Sequence, residues 1–326
     1  MNIVNQYIDY IRNVRRYSDR TVELYSQAIM DFASVSGAES DSGLIAALNL
    51  SEIRSYEVKL IDQRKMSAKT VNLYLSSLSG FCRFLIRTGL LESNPVTLVA
   101  RPKNAKRLPA YYTQDSMASY FAQTDYCASV EDLEAFVQAP FSDSGETAYK
   151  KRLARLIVSM LYTLGIRRSE LVSLTVGSVD FGRKIVKIYG KGDKMREIPL
   201  LALLSEEILL YLKAVEALCG GERSLKEPLL VTYQGAPLYP VYVDRVVKSE
   251  LGDRKDMTGR KSPHVLRHSI ATELLNEGSD LNSIKEMLGH SSLATTQIYT
   301  HSSIAQLKNI YELAHPRAKN GGKHGD

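Results

Sequence analysis

No run of 18 or more apolar residues occurs anywhere in the 326 residues of the chain, so no segment reads as a helix across a bilayer. The opening residues, MNIVNQYIDYIRNVRRYSDR, place apolar side chains at helical spacing but break them with charges. They lack the unbroken apolar stretch of a secretory leader, and the expectation is a cytoplasmic protein with no membrane partner. Cysteine is scarce: Cys82, Cys127 and Cys219 are scattered, and no CxxC pair occurs. Three cysteines cannot all pair, so they read as reduced thiols packed as small apolar groups, which excludes a disulfide scaffold. The GxxxxGK[ST] phosphate loop is also missing, which excludes the nucleotide cradle of the P-loop enzymes.

What is present is the balance of a globular protein, 44% hydrophobic and 24% charged, and a length sufficient for two domains with separate cores. The net charge of +6 favours a polyanionic partner. Its distribution says more than its size. Residues 1–100 hold 11 Lys and Arg against 10 Asp and Glu, whereas the seven residues 101–107 (RPKNAKR) hold four bases and no acid.

The first hundred residues read as four helices. Ile3, Tyr7, Ile8 and Ile11 form one apolar face; a second helix runs from Ser18 to about Val35, a third from about Leu50 to Arg64, and a fourth from Ser67 to Thr88. The fourth carries Val71, Tyr74, Leu75, Leu78, Phe81 and Leu85 on one side, and Gly89 with Asn94-Pro95 ends it. Two of these helices echo each other: SDRTVELY at 18–25 matches SAKTVNLY at 67–74. Each starts with an N-capping serine followed by a base, Arg20 or Lys69, in the first turn. A cation there opposes the helix dipole, and a nucleic-acid phosphate is the partner that would offset the cost.

The expected organisation is a helical domain over 1–98, a basic linker over 99–113, a mostly helical domain with a small antiparallel sheet over 114–318, and a disordered tail over 319–326. Arg101, Lys103, Lys106 and Arg107 make the linker a candidate for contact with a phosphate backbone. The acidic stretch Asp125 to Glu146 reads as a surface insertion. A hairpin follows, with strands at 184–189 and 195–200 around GKGDK at 190–194, and further helices near 201–219, 240–251, 264–277 and 280–288.

Candidate chemistry concentrates in three places. LGIRRSEL occupies 164–171, GKG 190–192, and the window 262–301 holds SPHVLRH, LGH and TQIYTH, with four of the six histidines. This set resembles the signature of the tyrosine site-specific recombinases of the phage integrase family, Xer-like in its LGHSSLATTQIYTH. All six signature positions are filled in order by Arg167, Lys191, His264, Arg267, His290 and Tyr299. The resemblance implies a SAM-like core-binding domain followed by a catalytic domain, and strand cleavage through a 3′-phosphotyrosine. It also places Glu170 beside the reacting groups to orient them, while His268, on another face of the helix from Arg267, reads as the maker of a structural hydrogen bond that supports the site.

The residue types suit that chemistry. Phosphodiester transfer adds negative charge to the nonbridging oxygens, and Arg167 and Arg267 offer planar, permanently charged forks for it. Tyr299, with an ordinary pKa near ~10, needs help to lose its proton, a task suited to His264. His290 is assigned a hydrogen bond to the phosphate, and Lys191 the protonation of the departing 5′ oxygen. A phosphotyrosine conserves the energy of the broken bond, so neither cofactor nor metal is expected.

The implied partners are double-stranded DNA and a tetramer of like or sister protomers on two DNA sites, monomeric or weakly dimeric off DNA, with a septal DNA translocase as a further candidate. Chromosome or plasmid dimer resolution is the expected role; the alternatives are an integrase of a mobile element and a non-catalytic DNA-binding protein on the same fold. A zinc hydrolase built on His264 and His268 is disfavoured, because the first histidine has no Glu beside it and Arg267 lies between the two.

Overall fold

The computed structural model describes residues 2–103, 111–190, 195–252, 254, 257, 260–278 and 280–289. Lys106, Arg107, Lys191, His290, Tyr299 and the expected tail lie outside the described residues. The chain's contacts separate it into two compact units, Met1–Arg107 and Leu108–Asp326, a division that falls within 99–113.

The first unit contains α1 (Asn2–Asp9), α2 (Asp19–Val35), α3 (Asp41–Ala47), α4 (Leu50–Val58) and α5 (Ala68–Arg87), with π-helical turns at Tyr10–Val14 and Lys59–Gln63 extending α1 and α4. To the four helices expected, the structure adds the short α3. Its Asp41 carboxylate accepts from the backbone N–H groups of Asn2 and Ile3, both at 3.1 Å, and so satisfies two of the four orphan donors at the start of α1. The core is formed by the expected apolar faces: Val71, Leu75, Leu78, Phe81 and Leu85 of α5 are fully buried, as are Ile29 and Phe32 of α2. Each such side chain stabilises the fold by roughly 1.5–3 kcal/mol.

The internal echo is deeper than the sequence match. Ser18 and Ser67, 49 residues apart, cap α2 and α5 by accepting from the N–H groups of Thr21 and Thr70 at 3.4 and 3.2 Å. Before each cap stands a base with left-handed backbone, Arg16 and Lys65, both at φ 52°. Before that base each chain leaves a π-helical turn by the same bond, Tyr17 N–H to Ile11 O at 2.9 Å and Met66 N–H to Leu60 O at 3.0 Å. The unit therefore repeats one helix–turn–helix twice, with bases at matching positions: Arg15 and Arg64, Arg16 and Lys65, Arg20 and Lys69.

The second unit contains α6 (Gln114–Gln123), α7 (Val130–Gln138), α8 (Asp143–Leu164), α9 (Arg168–Val172), α10 (Ala202–Cys219), α11 (Pro240–Gly252), α12 (Pro263–Asn276) and α13 (Leu281–Leu288). Its antiparallel sheet runs in the order β1 (Val179–Asp180), β2 (Ile185–Tyr189) and β3 (Met195–Pro199). β2 and β3 pair from Ile185↔Pro199 to Tyr189↔Met195, so the chain segment joining them carries Lys191. α8 is buried over most of its length and is the centre of this core.

The acidic stretch is not a surface insertion. It forms a 3-10 turn at Asp125–Ala128, then α7 and the first turn of α8. Cys127, Leu133 and Phe136 enter the core, with Phe136 stacked at 5.9 Å from Tyr149. Its acids serve two arginines that α8 carries into the interior. Asp132 pairs with Arg152 at 2.6 Å, and Asp125 pairs at 3.2 Å with Arg155, which also holds Glu207 at 3.0 Å. A buried guanidinium without such partners would be strongly destabilising.

Candidate active site

The ends of α8 and α13, the starts of α9 and α12, and strand β3 build the site. α8 ends on Gly165, whose left-handed φ of 58° turns the chain sharply. Buried Ile166 follows, and Arg167 then stands at the N-cap of the short α9 rather than on its face. Glu170, the third residue of α9, folds back on it: its carboxylate accepts from the Arg167 N–H at 2.8 Å and from Arg167 Nη1 at 2.7 Å. This is the reciprocal half of a capping box, which fixes the arginine from both backbone and side chain.

Arg267 comes from α12, which begins at the Ser262 N-cap with Pro263 in its first turn. The residue is only 8% exposed. Nη1 donates to Gly165 O at 2.7 Å and Nη2 donates to Leu288 O. Burial, and then the neighbouring Arg167 charge, pull Arg267 down to about 10, still far above neutrality. Arg167 is 35% exposed and extends its Nη2 to Gly289 O at 3.0 Å.

A third arginine, which the sequence reading missed, completes the arrangement. Arg196 of β3 donates from Nη1 and Nη2 to the two oxygens of Glu170 at 3.0 and 2.8 Å, and from Nε to Met287 O at 2.8 Å. Three guanidiniums thus take three successive carbonyls at the end of α13: Arg196 on Met287, Arg267 on Leu288, Arg167 on Gly289. These carbonyls have no partner within the helix and carry the negative end of its dipole. A signal for Arg196 existed. β3 alternates, and its inward positions are Arg196 and Ile198, so a charge sits where the period of two calls for an apolar side chain.

The electrostatic result is a concentration of positive charge. Three guanidiniums against the single carboxylate of Glu170 leave a net of +2 (+3 − 1) among these groups. Burial pushes the Glu170 carboxyl up, but hydrogen bonds from Arg196 and Arg167 outweigh it and hold the group below the usual carboxylate range. The arrangement suits a phosphate: charged forks held in place before the substrate arrives, in a partly buried setting.

The structure brings Arg167, Glu170 and Arg267 together through this network. His264 lies exposed in the first turn of α12 and His268 is half-buried one turn on. At His268 the Thr272 hydroxyl donates to the backbone carbonyl at 2.9 Å. No group of three His, Cys, Asp or Glu side chains that could hold a metal occurs among the described residues. In the first unit, Lys69 is exposed and Arg20 pairs with Glu23 at 2.9 Å, so part of its dipole conflict is offset within its own helix. Arg101 donates to Ser76 Oγ at 2.8 Å, which docks it on α5, and Lys103 is exposed.

The phage integrase family domain matches residues 130–306, and the phage integrase N-terminal SAM-like domain matches residues 4–89. The chain belongs to the phage integrase family of tyrosine recombinases, enzymes of DNA cleavage and rejoining. It is 31% identical to tyrosine recombinase XerC of Bacillus pumilus, over 97% of both chains. To XerC of Bacillus subtilis it is 33% identical, again over 97% of both. In fold it is similar to the XerH recombinase bound to difH substrate, with a TM-score of 0.62 and 19% identity over 95% of this chain and 84% of that one. It is also similar to the Tn1549 transposon integrase in complex with circular intermediate DNA, at 0.64 and 18% over 94% of this chain and 99% of that one.

Proposed function

We propose that this protein is a Xer-type recombinase that exchanges strands between two duplexes, with Tyr299 as nucleophile. The tyrosine oxygen attacks the scissile phosphorus as the bond to the 5′ oxygen breaks. The result is a 3′-phosphotyrosine and a free 5′ hydroxyl; attack by another strand's 5′ hydroxyl reverses the step and frees the tyrosine. Arg167 and Arg267 hold the nonbridging oxygens, His264 assists the departure of the tyrosine proton, His290 donates to the phosphate, and Lys191 protonates the leaving oxygen. The observation that carries this reading is the pair of guanidiniums, Arg267 held by two carbonyls and Arg167 by a carbonyl and the Glu170 carboxylate, so that net positive charge remains for an anion.

Double-stranded DNA is the substrate in this reading, bound by a tetramer across two sites, with a septal translocase as a regulating partner. The two matching turns of the first unit are the candidate grip on the backbone. Arg20 and Lys69, together with Arg16 and Lys65 in their left-handed conformation, present the same basic pattern twice; the linker bases Arg101, Lys103, Lys106 and Arg107 extend it.

The test is a nicked duplex carrying the recombination site, which traps the covalent intermediate because the cut fragment diffuses away. The wild-type protein should become attached without metal or nucleotide. Tyr299→Phe should bind the same DNA and form no adduct. An adduct in that variant would move the nucleophile elsewhere.

A further inference from the structure

The mechanism uses Arg167 and Arg267 directly and leaves Arg196 without a role, although it is the most heavily engaged of the three. It is 7% exposed, inward-facing on β3, and bonded to two separate elements. From the geometry we infer that Arg196 is a positioning residue for the phosphate clamp. It fixes Glu170 and the end of α13, and through both of them the guanidinium of Arg167. The inference rests on the reading of the site as a transesterification centre.

Three observations carry it. Glu170 offers two oxygens to four donors, two from Arg167 and two from Arg196. Arg196 therefore decides the plane of the carboxylate that Arg167 must follow. Arg167's other anchor, Gly289 O, lies two residues beyond Met287 O, which Arg196 holds. A Cβ built on Gly289 would come within 3.0 Å of Arg196 Nη1 and 3.2 Å of its Cζ, so the Gly289 backbone packs directly on that guanidinium. Both supports of Arg167 thus touch Arg196. The third observation is connectivity: Arg196 lies opposite Ile188 in the β2–β3 ladder, on the hairpin whose connecting segment carries Lys191. A displacement of the hairpin is then transmitted to the clamp, which couples the leaving-group end of the reaction to the phosphate end.

The planar fork matters more than the charge, because a single ammonium cannot bridge both Glu170 oxygens and Met287 O together. The experiment measures single-turnover cleavage by the full-length protein on two nicked duplexes. One has an ordinary scissile phosphodiester; the other has a methylphosphonate there, whose missing oxygen charge reduces the need for an oriented guanidinium. Arg196→Lys should slow the ordinary substrate by about 10- to 100-fold, the range for partners that orient reacting groups. DNA affinity should stay within about twofold of wild type, and the deficit should shrink on the methylphosphonate. In an Arg167→Ala background, Arg196→Lys should add little further loss, because the residue through which it acts is gone.

Equal deficits on both substrates, or full additivity with Arg167→Ala, would overturn the inference. So would loss of helical circular dichroism in both Arg196→Lys and Arg196→Ala, which would make the residue part of the core only. Failure of the wild-type protein to form an adduct refutes the transesterification reading itself. A wild-type rate for Arg196→Lys alongside a normal wild-type adduct refutes the positioning role alone.

Discussion

Replacing Glu170 by alanine removes the acceptor of four hydrogen bonds and the carboxylate paired with the buried Arg196. Glu170 and Arg196 are 4% and 7% exposed, so solvent cannot take over the vacated bonds. Breaking one side of a buried pair costs about 3–5 kcal/mol, because the remaining charge stays desolvated. In a unit of 219 residues (108–326), each kcal/mol lowers Tm by about 2–4 °C, so Glu170→Ala should melt about 6–20 °C below wild type. Glu170→Gln keeps the shape and one good acceptor oxygen but loses two of the four bonds to the charged carboxylate, worth about 1.5–3 kcal/mol each. Its loss should therefore approach that of alanine.

The sequence holds no tryptophan, so the transition is best followed by circular dichroism at 222 nm in urea and in heat. The double variant Glu170→Met with Arg196→Met supplies the internal check. Replacing both partners with apolar groups of similar size should recover much of the single-variant loss. A loss below about 1 kcal/mol for Glu170→Ala, judged against that buried-pair range, would refute the claim that this pair supports the site. A double variant no better than either single one would do the same. The pH dependence has a defined sign. The Glu170 carboxyl is lowered on folding, so its contribution is present above its unfolded value near ~4.3 and fades as pH falls through the lower folded value. Glu170→Gln should flatten that acid limb.

Arg267→Lys loses the two-carbonyl fork on Gly165 and Leu288 and should slow adduct formation by about 10²–10³-fold, as for loss of one oriented donor; a near-wild-type single-turnover rate would contradict this. Gly165→Ala and Gly220→Ala both force a left-handed alanine, at φ 58° and 78°, but only at Gly165 would the new Cβ come within 2.8 Å of Leu288 Cδ2. Gly165→Ala should therefore lose more stability in urea than Gly220→Ala, by about 1–3 kcal/mol for the added overpacking, and equal losses would count against the close approach. Burial raises Tyr112 and Tyr211 to about 12, so their share of stability is complete below the unfolded value of ~10 and is lost as pH rises through 12. A titration at 295 nm should show these phenols resisting ionisation until the helical signal falls, and native titration of all the tyrosines near their ordinary value would disprove it.

The helices of the first unit were legible because their information is local. Apolar side chains at the spacing of α5, a serine at each N-cap and a glycine after the last turn all act within a few residues of one another. Only α3 escaped. It is seven residues long, contains Gly43, and depends on Asp41 reaching α1, a contact that no window around residues 41–47 contains. The hairpin was legible for the same local reason.

The acidic stretch was misjudged because its partners are remote. Asp132 and Asp125 have their role only beside Arg152 and Arg155, 20 and 30 residues away. In sequence these look like ordinary surface charges. The tertiary structure turned them into counterions, since α8 is buried from Arg152 to Leu164 and its arginines had to be neutralised where they lay.

The same division runs through the site. The sequence alone determined which side chains are available: two arginines in signature motifs, a glutamate three residues after the first, and a glycine at each helix end. Folding decided what holds them. Arg196, 26 residues from Glu170 and 91 from Met287, holds both because β3 turns it inward onto a carboxylate and a helix end. Such pairings depend on distance in space, which a linear pattern does not contain. They are strong because burial removes the water that would otherwise compete for each charge.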